Sequence, residues 1–384
     1  VEALARLPEE AGVSPEMAEA VLHGMASDWT AERLIRLVRE EFADPACLDV
    51  PTDVGGREVM AISPALCVQI VSGSVPGVGV NALLRSLLVK APTLIKPGRG
   101  DVVLTELFAR GLGERDAEVA AALAVAYWPG EDDSPMREAL RRADVVTVYG
   151  SDQTVGEVRR AAPATTRVVG YHHREGVALI GREALTTEAA PEAAARTARA
   201  VAMFEQRGCV CPHVVHVEKG GAVTPRAFAE LLSGALRDLE SELPSPQPLL
   251  EEGAAIQQLR GTAELAAATG GGSLEHGGAD ATWTVVYEAE ALEGAPVTLG
   301  RGVRLRPIED AADLSKTLEA DGRHLQSVGY AGLGDRVSRI AEALGRVGAS
   351  RVVPLERISF PAPWWLHDGR GPLREIVRWV EVER

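Results

Sequence analysis

The segment FEQRGCVCPHVVHVE (204–218) carries the densest chemistry in the chain, with the thiols of Cys209 and Cys211 and the imidazoles of His213 and His216 close together. Cys209 follows Gly208 at the expected junction of a long helix and a strand. A thiol there can attack a thioester or aldehyde carbonyl while neighbouring backbone N–H groups stabilise the oxyanion. Two other readings stand beside it. Cysteine often packs as a small buried hydrophobe, and Cys209, Cys211, His213 and His216 superficially suggest a zinc set. An extended strand points His213 and His216 to opposite faces and Pro212 stiffens the middle, so no metal centre is expected.

Standard signatures are missing elsewhere. Gly73, Gly77 and Gly79 lack the spacing of G-x-G-x-x-G, and neither G-x-x-x-x-G-K-[ST], G-x-S-x-G nor H-E-x-x-H occurs. A kinase, a P-loop ATPase, a serine esterase and a zincin are therefore disfavoured.

The elements that must position these residues follow from the hydrophobic pattern. Residues 1 to about 50 read as helices, with Ser14-Pro15 and Thr30 as start signals. From about residue 66, short apolar runs alternate with amphipathic stretches: LCVQIVSG, NALLRSLLVK, TLIK, DVVLTELFARGL, LAVAYW, REALRRA, VVTVYG. Fully apolar runs of this length suit parallel strands buried on both faces, which predicts a doubly wound α/β sheet. RVVGY, VALIG and an alanine-rich helix from about Pro191 to Phe204 extend this first unit. A second series opens with HVVHVE, and residues 261–280, containing GGGSLEHGG, read as a surface loop. No internal repeat is found.

At ~150 residues per domain, 384 residues make about two domains. With 46% hydrophobic and 25% charged residues the chain is globular. Forty basic against 55 acidic residues, a net charge of −15, argue against general affinity for nucleic acid or anionic membrane. Four unevenly spaced cysteines (Cys47, Cys67, Cys209, Cys211) form no disulfide framework, and a reducing cytoplasm is expected. VEALARLPEE does not read as a leader, and no apolar run approaches the ~20 residues that span a bilayer.

From about residue 66 onward, VSGSVPGVG, LIKPGRGD, VYGSDQTVG, VVGYHHR, FEQRGCVCP, HLQSVGYAG and WWLHDGRGPLREIVRWVEVE follow one another. In this order the chain resembles the acyl-CoA reductases of the LuxC type, a branch of the aldehyde dehydrogenase superfamily. The resemblance implies an aldehyde dehydrogenase-like α/β fold with a Rossmann-type nucleotide-binding domain and an α/β catalytic domain. The expected division is 1–205 for the helices and the dinucleotide-binding domain, 206–355 for the catalytic domain, and 356–384 for a tail packing back on the boundary or on a partner subunit.

Carried over by residue, the resemblance makes Cys209 the acylated nucleophile and sets Lys96 against the adenosine ribose. It brings Gly150 and Ser151 near the pyrophosphate, at a helix N-terminus suited to anions. Ser74 stands where many relatives have an asparagine that helps hold the oxyanion, and its hydroxyl can still donate one bond. Arg99 stands three residues after Lys96, where NAD-preferring members often carry a glutamate, so NADPH is expected over NADH. Cys211 replaces a usual serine, and His172 a usual glycine. His172 and His173 read equally well as ligand contacts or as a solvated loop pair. Trp364, Trp365 and Trp379 read as tail packing or a substrate entrance.

The implied reaction is NADPH-dependent reduction of an acyl thioester, on coenzyme A or a carrier protein, to an aldehyde through an acyl-Cys intermediate. The glutamate base of the aldehyde-oxidising branch has no match, Glu175 being out of register, which favours reduction. The alternatives are a catalytically silent nucleotide-binding or scaffold member working with an acyl-transferring or acyl-activating partner, and an aldehyde-oxidising dehydrogenase. A homo-oligomer is expected.

Overall fold

The computed structural model describes residues 1–130, 133–270, 272–277, 282–292, 299–319 and 322–383. In chain order, helices α1 (Glu2–Ala11), α2 (Pro15–Ala26) and α3 (Ala31–Glu41) precede strands β1 (Thr52–Asp53) and β2 (Glu58–Ile62). The alternating region then runs β3 (Cys67–Ile70), α4 (Val78–Leu88), β4 (Thr93–Lys96), α5 (Val102–Gly113), α6 (Ala117–Ala122) and β5 (Leu123–Val125). It continues through α7 (Asp133–Arg142), β6 (Val145–Tyr149), α8 (Asp152–Ala161) and β7 (Arg167–Tyr171). Next come β8 (Glu175–Ile180), α9 (Ala190–Ala202), β9 (Pro212–Glu218), α10 (Pro225–Leu239), α11 (Leu250–Ala268), β10 (Gly272–His276) and β11 (Thr284–Glu288). The chain ends through β12 (Gly302–Ile308), α12 (Leu314–Thr317), β13 (Leu325–Ala331), α13 (Val337–Arg346), β14 (Arg351–Pro354) and β15 (Arg378–Val382).

Contacts divide the chain into two units. The first holds Val1–Gly12, Ala18–His173 and Ala362–Arg384, and the second holds Val13–Met17 and Arg174–Pro361. The first unit contains a parallel sheet of order β5-β4-β3-β6-β7. Its central strands are largely apolar because both faces are covered. Val68, Ile70, Val146 and Val148 pack with Leu140, Val155 and Val158 of α7 and α8, whereas Cys67, Ile95, Val145 and Tyr149 pack with Leu83 of α4 and Leu104 of α5. Strand order reverses between β3 and β6, the switch point outside whose carboxyl ends ligands bind in open α/β sheets.

The second unit's sheet has the order β10-β11-β12-β9-β8-β13-β14, parallel except for β10. Here the structure corrects two expectations. VALIG, β8, joins this sheet rather than the first, so the contact boundary falls at Arg174 and not after residue 205. Only His172, His173 and Arg174 separate β7 from β8, too few for a crossover to a parallel neighbour in one sheet, which takes a dozen or more residues. β8 instead reaches its parallel neighbour β9 through α9, whose alanine face is buried. The supposed loop 261–280 is the end of α11 followed by β10, with residues 271 and 278–280 outside the described residues. Arg260 on α11 donates to Thr284 Oγ1 (2.9 Å) and Trp283 O (3.0 Å), and Leu259 and Ala263 pack on Val286, so tertiary contacts supply what the composition lacks.

The last residues return to the first unit. β15 pairs with β2 in a three-stranded antiparallel sheet with β1. Arg167 Nη1 donates to Val377 O (2.6 Å), and Glu41 Oε2 accepts from the N–H groups of Leu373 (3.0 Å) and Arg374 (3.2 Å). Trp364 lies under the guanidinium of Arg36 at 3.9 Å, and Trp365 stacks on His367 at 4.4 Å. These contacts make Trp364 and Trp365 packing residues.

Candidate active site

Five of the six candidate residues belong to the first unit and sit after the carboxyl ends of β3, β4 and β6, around the switch point. Ser74 lies in the turn after β3, Lys96 ends β4, Arg99 is exposed just beyond it, and Gly150 and Ser151 join β6 to α8. Two of these turns are locked backbone to backbone. A Cβ on Gly98 would lie 2.1 Å from Gly73 N, and one on Gly73 2.6 Å from Gly100 N, so glycine is required at this crossing. Asp101, fully buried, accepts from Gly77 N (2.7 Å) and Gly79 N (2.6 Å) at the start of α4. Burial pushes its carboxyl up to about 8 against those two bonds.

Lys96 is half-buried, its Nζ 5.7 Å from the ring centre of Tyr127 and 6.0 Å from that of Trp128, and burial lowers its pKa. Ser151 caps α8, its Oγ accepting from Thr154 N at 3.1 Å. A cation beside aromatic faces, a capped helix N-terminus and tight glycine turns along one sheet edge fit a dinucleotide with its adenosine and phosphates there. Ser74 is exposed, its hydroxyl 2.8 Å from that of Ser72. His172 Nδ1 lies 3.4 Å from Asp152 Oδ1, and His173 N donates to the same oxygen at 3.1 Å, so the pair is tied to the first turn of α8.

Cys209 belongs to the second unit, at the amino end of β9. Between α9 and the cysteine, Phe204, Glu205 and Gln206 all adopt left-handed backbone, with φ of 56°, 50° and 60°. Such a run costs free energy at each residue and persists only where its surroundings hold it. Gln206 Nε2 donates to Pro212 O (3.1 Å) and Gly302 O (2.9 Å). Glu205 receives two bonds from Arg301 (3.0 and 3.2 Å), and Arg301, fully buried, also donates to Glu240 (2.6 Å) and Leu243 O (2.7 Å). Cys209 then occupies a turn closed by Cys211 N donating to Gly208 O at 2.9 Å.

The two thiols differ. Cys209 is partly exposed, whereas Cys211 is buried, donates to Met203 O (3.2 Å) and is pushed above the ordinary thiol range by burial. Cys211 is a packing residue. His216 is buried with neither ring nitrogen hydrogen-bonded. Glu205, Gln206 and Arg301 were not anticipated as site residues. The first two lie inside the cysteine segment 204–218, while Arg301 is one arginine among many, distinguished by its burial.

Solved structures place this architecture. An oxidoreductase from Marinobacter aquaeolei matches with a TM-score of 0.75 at 15% identity, covering 100% of this chain and 82% of that one. An NADP-dependent glyceraldehyde-3-phosphate dehydrogenase from Bacillus halodurans, complexed with NADP, matches at 0.71 and 13% identity, covering 99% and 82%. The fold is that of the aldehyde dehydrogenases. A long-chain acyl-protein thioester reductase of Aliivibrio fischeri is 22% identical over 385 residues, covering 97% of this chain and 75% of that one, and one of Photobacterium phosphoreum is 21% identical, covering 97% and 74%. The family model for acyl-CoA reductase (LuxC) matches residues 2–379, and the chain belongs to that family. It is an oxidoreductase of that family. Among the described residues no helix is long and apolar enough to cross a membrane.

Proposed function

We propose that this enzyme reduces an acyl thioester, carried on coenzyme A or a carrier protein, to the aldehyde, with Cys209 as the acylated nucleophile and NADPH as reductant. The observation that carries the reading is the contrast within CVC: an accessible thiol in a braced turn, two residues from one that is buried and bonded.

The Cys209 sulfur attacks the acyl carbon, the carrier's C–S bond breaks, and the carrier leaves as its thiol, giving acyl-Cys209. Backbone N–H groups of the cysteine turn supply oxyanion stabilisation, and the resemblance assigns a further donor, Ser74. Lys96 and Arg99 hold the adenosine end of the dinucleotide, and Gly150 and Ser151 its phosphates. When bound, the nicotinamide would supply the hydride that makes the acyl-Cys a thiohemiacetal oxyanion. Its collapse breaks the Cys209 C–S bond and releases the aldehyde and the Cys209 thiolate, which takes a proton from solvent. No glutamate in VVGYHHREG matches the water-activating base of aldehyde oxidation, Glu175 being out of register, which supports reduction. A homo-oligomer in a reducing cytoplasm completes the reading; its support is the exposed Trp379 and Val380 on the edge strand β15.

Intact-mass spectrometry after mixing with an acyl-CoA, without reductant, is the test. One acyl adduct on the wild type and none on Cys209→Ala is expected, with aldehyde released when NADPH is added. An adduct that persists in Cys209→Ala and disappears in Cys211→Ala would overturn the assignment.

A further inference from the structure

Parallel strands of the second unit start along one edge of the sheet, and Cys209 sits at that edge. In the ladder, Arg351 at the start of β14 pairs with Ser327 of β13, Ser327 with Gly176 of β8, and Gly176 with Pro212 of β9. The cysteine turn lies directly over this row: a Cβ on Gly176 would be 2.5 Å from Val210 O and 2.8 Å from Cys211 O. With neighbouring strands about 4.8 Å apart, the Arg351 backbone is about 10 Å from Gly176, two strands away. An arginine side chain covers most of that gap.

Beside Arg351, β13 carries buried polar side chains. Ser327 is fully buried with its hydroxyl unbonded, and its neighbour Gln326 is fully buried with neither amide atom bonded. Buried polar groups left this way are rare and mark places that serve something other than packing. The Arg351 guanidinium is held by two carbonyls, Nη1 donating to Ile358 O at 2.7 Å and Nη2 to Arg357 O. Carbonyl acceptors fix a guanidinium in place without cancelling its charge.

We propose that Arg351 is the electrostatic partner of Cys209, favouring the thiolate before substrate arrives, with the thiol proton passing to solvent, and favouring it again as the leaving group when the thiohemiacetal collapses. This rests on the reading of Cys209 as nucleophile. The interaction is mutual. Burial and the like charge of Arg357 lower the Arg351 pKa to about 10, and Cys209 opposes that lowering.

Of the other charged or titratable groups around the turn, Glu205 is paired with Arg301, Arg207 with Glu252 (3.3 Å), Cys211 is a buried thiol, and His213 is buried on β9. Arg174 donates to Arg323 O (2.7 Å) and Leu325 O (3.3 Å) just before β8, and Glu175 opens that strand. Arg351 acts on Cys209 as a positioning residue for charge, in the way that adjacent cations lower thiol pKa values elsewhere.

The experiment is the pH profile of iodoacetamide alkylation at Cys209, located by peptide mass spectrometry, in the full chain. The wild-type midpoint is expected about one unit below the ordinary thiol value of ~8.5. Arg351→Gln is expected to alkylate roughly tenfold more slowly at pH 7, with the midpoint raised by about one unit, and Arg351→Lys to fall between. A wild-type midpoint at or above ~8.5, which needs no variant to fold, overturns the proposal, as does an unshifted profile in folded Arg351→Gln. Absence of an acyl adduct on wild-type Cys209 would overturn the underlying reading, whereas a normal adduct with an unshifted profile overturns only the role of Arg351.

Discussion

Replacing Arg99 with glutamate is expected to move coenzyme preference from NADPH toward NADH. A guanidinium pairs with a ribose 2′-phosphate through two parallel bonds, and such charge-assisted bonds are worth about 1.5–3 kcal/mol, roughly ten- to a hundredfold in kcat/KM. Arg99 is exposed in a segment anchored by the Gly73–Gly98 crossing, so the substitution changes charge without disturbing the core. Measuring kcat/KM with each coenzyme decides it; equal use by the wild type, or an unchanged ratio in Arg99→Glu, would show that Arg99 does not read the phosphate. His216 gives a different kind of prediction. Burial lowers its pKa to about 3, so between pH 6.5 and 3 the unfolded chain takes up a proton that the native chain refuses. Its contribution to stability is complete above pH 6.5 and is lost as pH falls. His216→Leu should remove this dependence, narrowing the difference in unfolding free energy between pH 7.5 and pH 5 by about 2 kcal/mol, as read from urea melts.

The connection from α9 to β9 shows how a segment can carry backbone strain beside the side chain it presents. Arg301 clamps the left-handed run by pairing with Glu205 in the interior. Arg301→Met would leave a buried carboxylate unpaired, an expected loss of about 3–5 kcal/mol in urea unfolding, and adding Glu205→Gln should recover part of it. No recovery would mean that the arginine matters for its volume alone. The clamp also marks the limit of what could be read from the residues. FEQRGCVCP stands out as a candidate site through residue types and neighbours in sequence. Its braces come from Arg301 and Gly302, almost a hundred positions away, contacts that no local pattern encodes. The strands were legible for the opposite reason: runs such as VVTVY are apolar at successive positions because both faces of a parallel sheet are covered. β8 was read as a strand but put in the wrong sheet, since its pattern records burial and not the identity of its neighbour.

At the scale of the whole molecule, the tail tests how far the first unit depends on residues beyond the second. Trp379 is 44% exposed on the edge strand β15, although its ring leans on Phe42 at 5.8 Å. Exposed apolar side chains on an open edge invite pairing with another chain, and light scattering at micromolar protein is expected to give at least a dimer. A fully active monomer would sink that expectation. The return of Ala362–Arg384 to the first unit also sets an order of events during synthesis. Arg167 finds its acceptor at Val377 only 210 residues later, and Glu41 waits for Leu373 across 332. At roughly 5–20 residues per second, the interval after Arg167 lasts on the order of 10–40 s. Throughout it the nascent first unit lacks β15 and the buried Leu373, Ile376 and Val377, while the second unit, nearly continuous from Arg174 to Pro361, has what it needs to fold. The half of the protein made first is thus the half completed last, and during translation its unfinished core is the surface for which chaperones would compete.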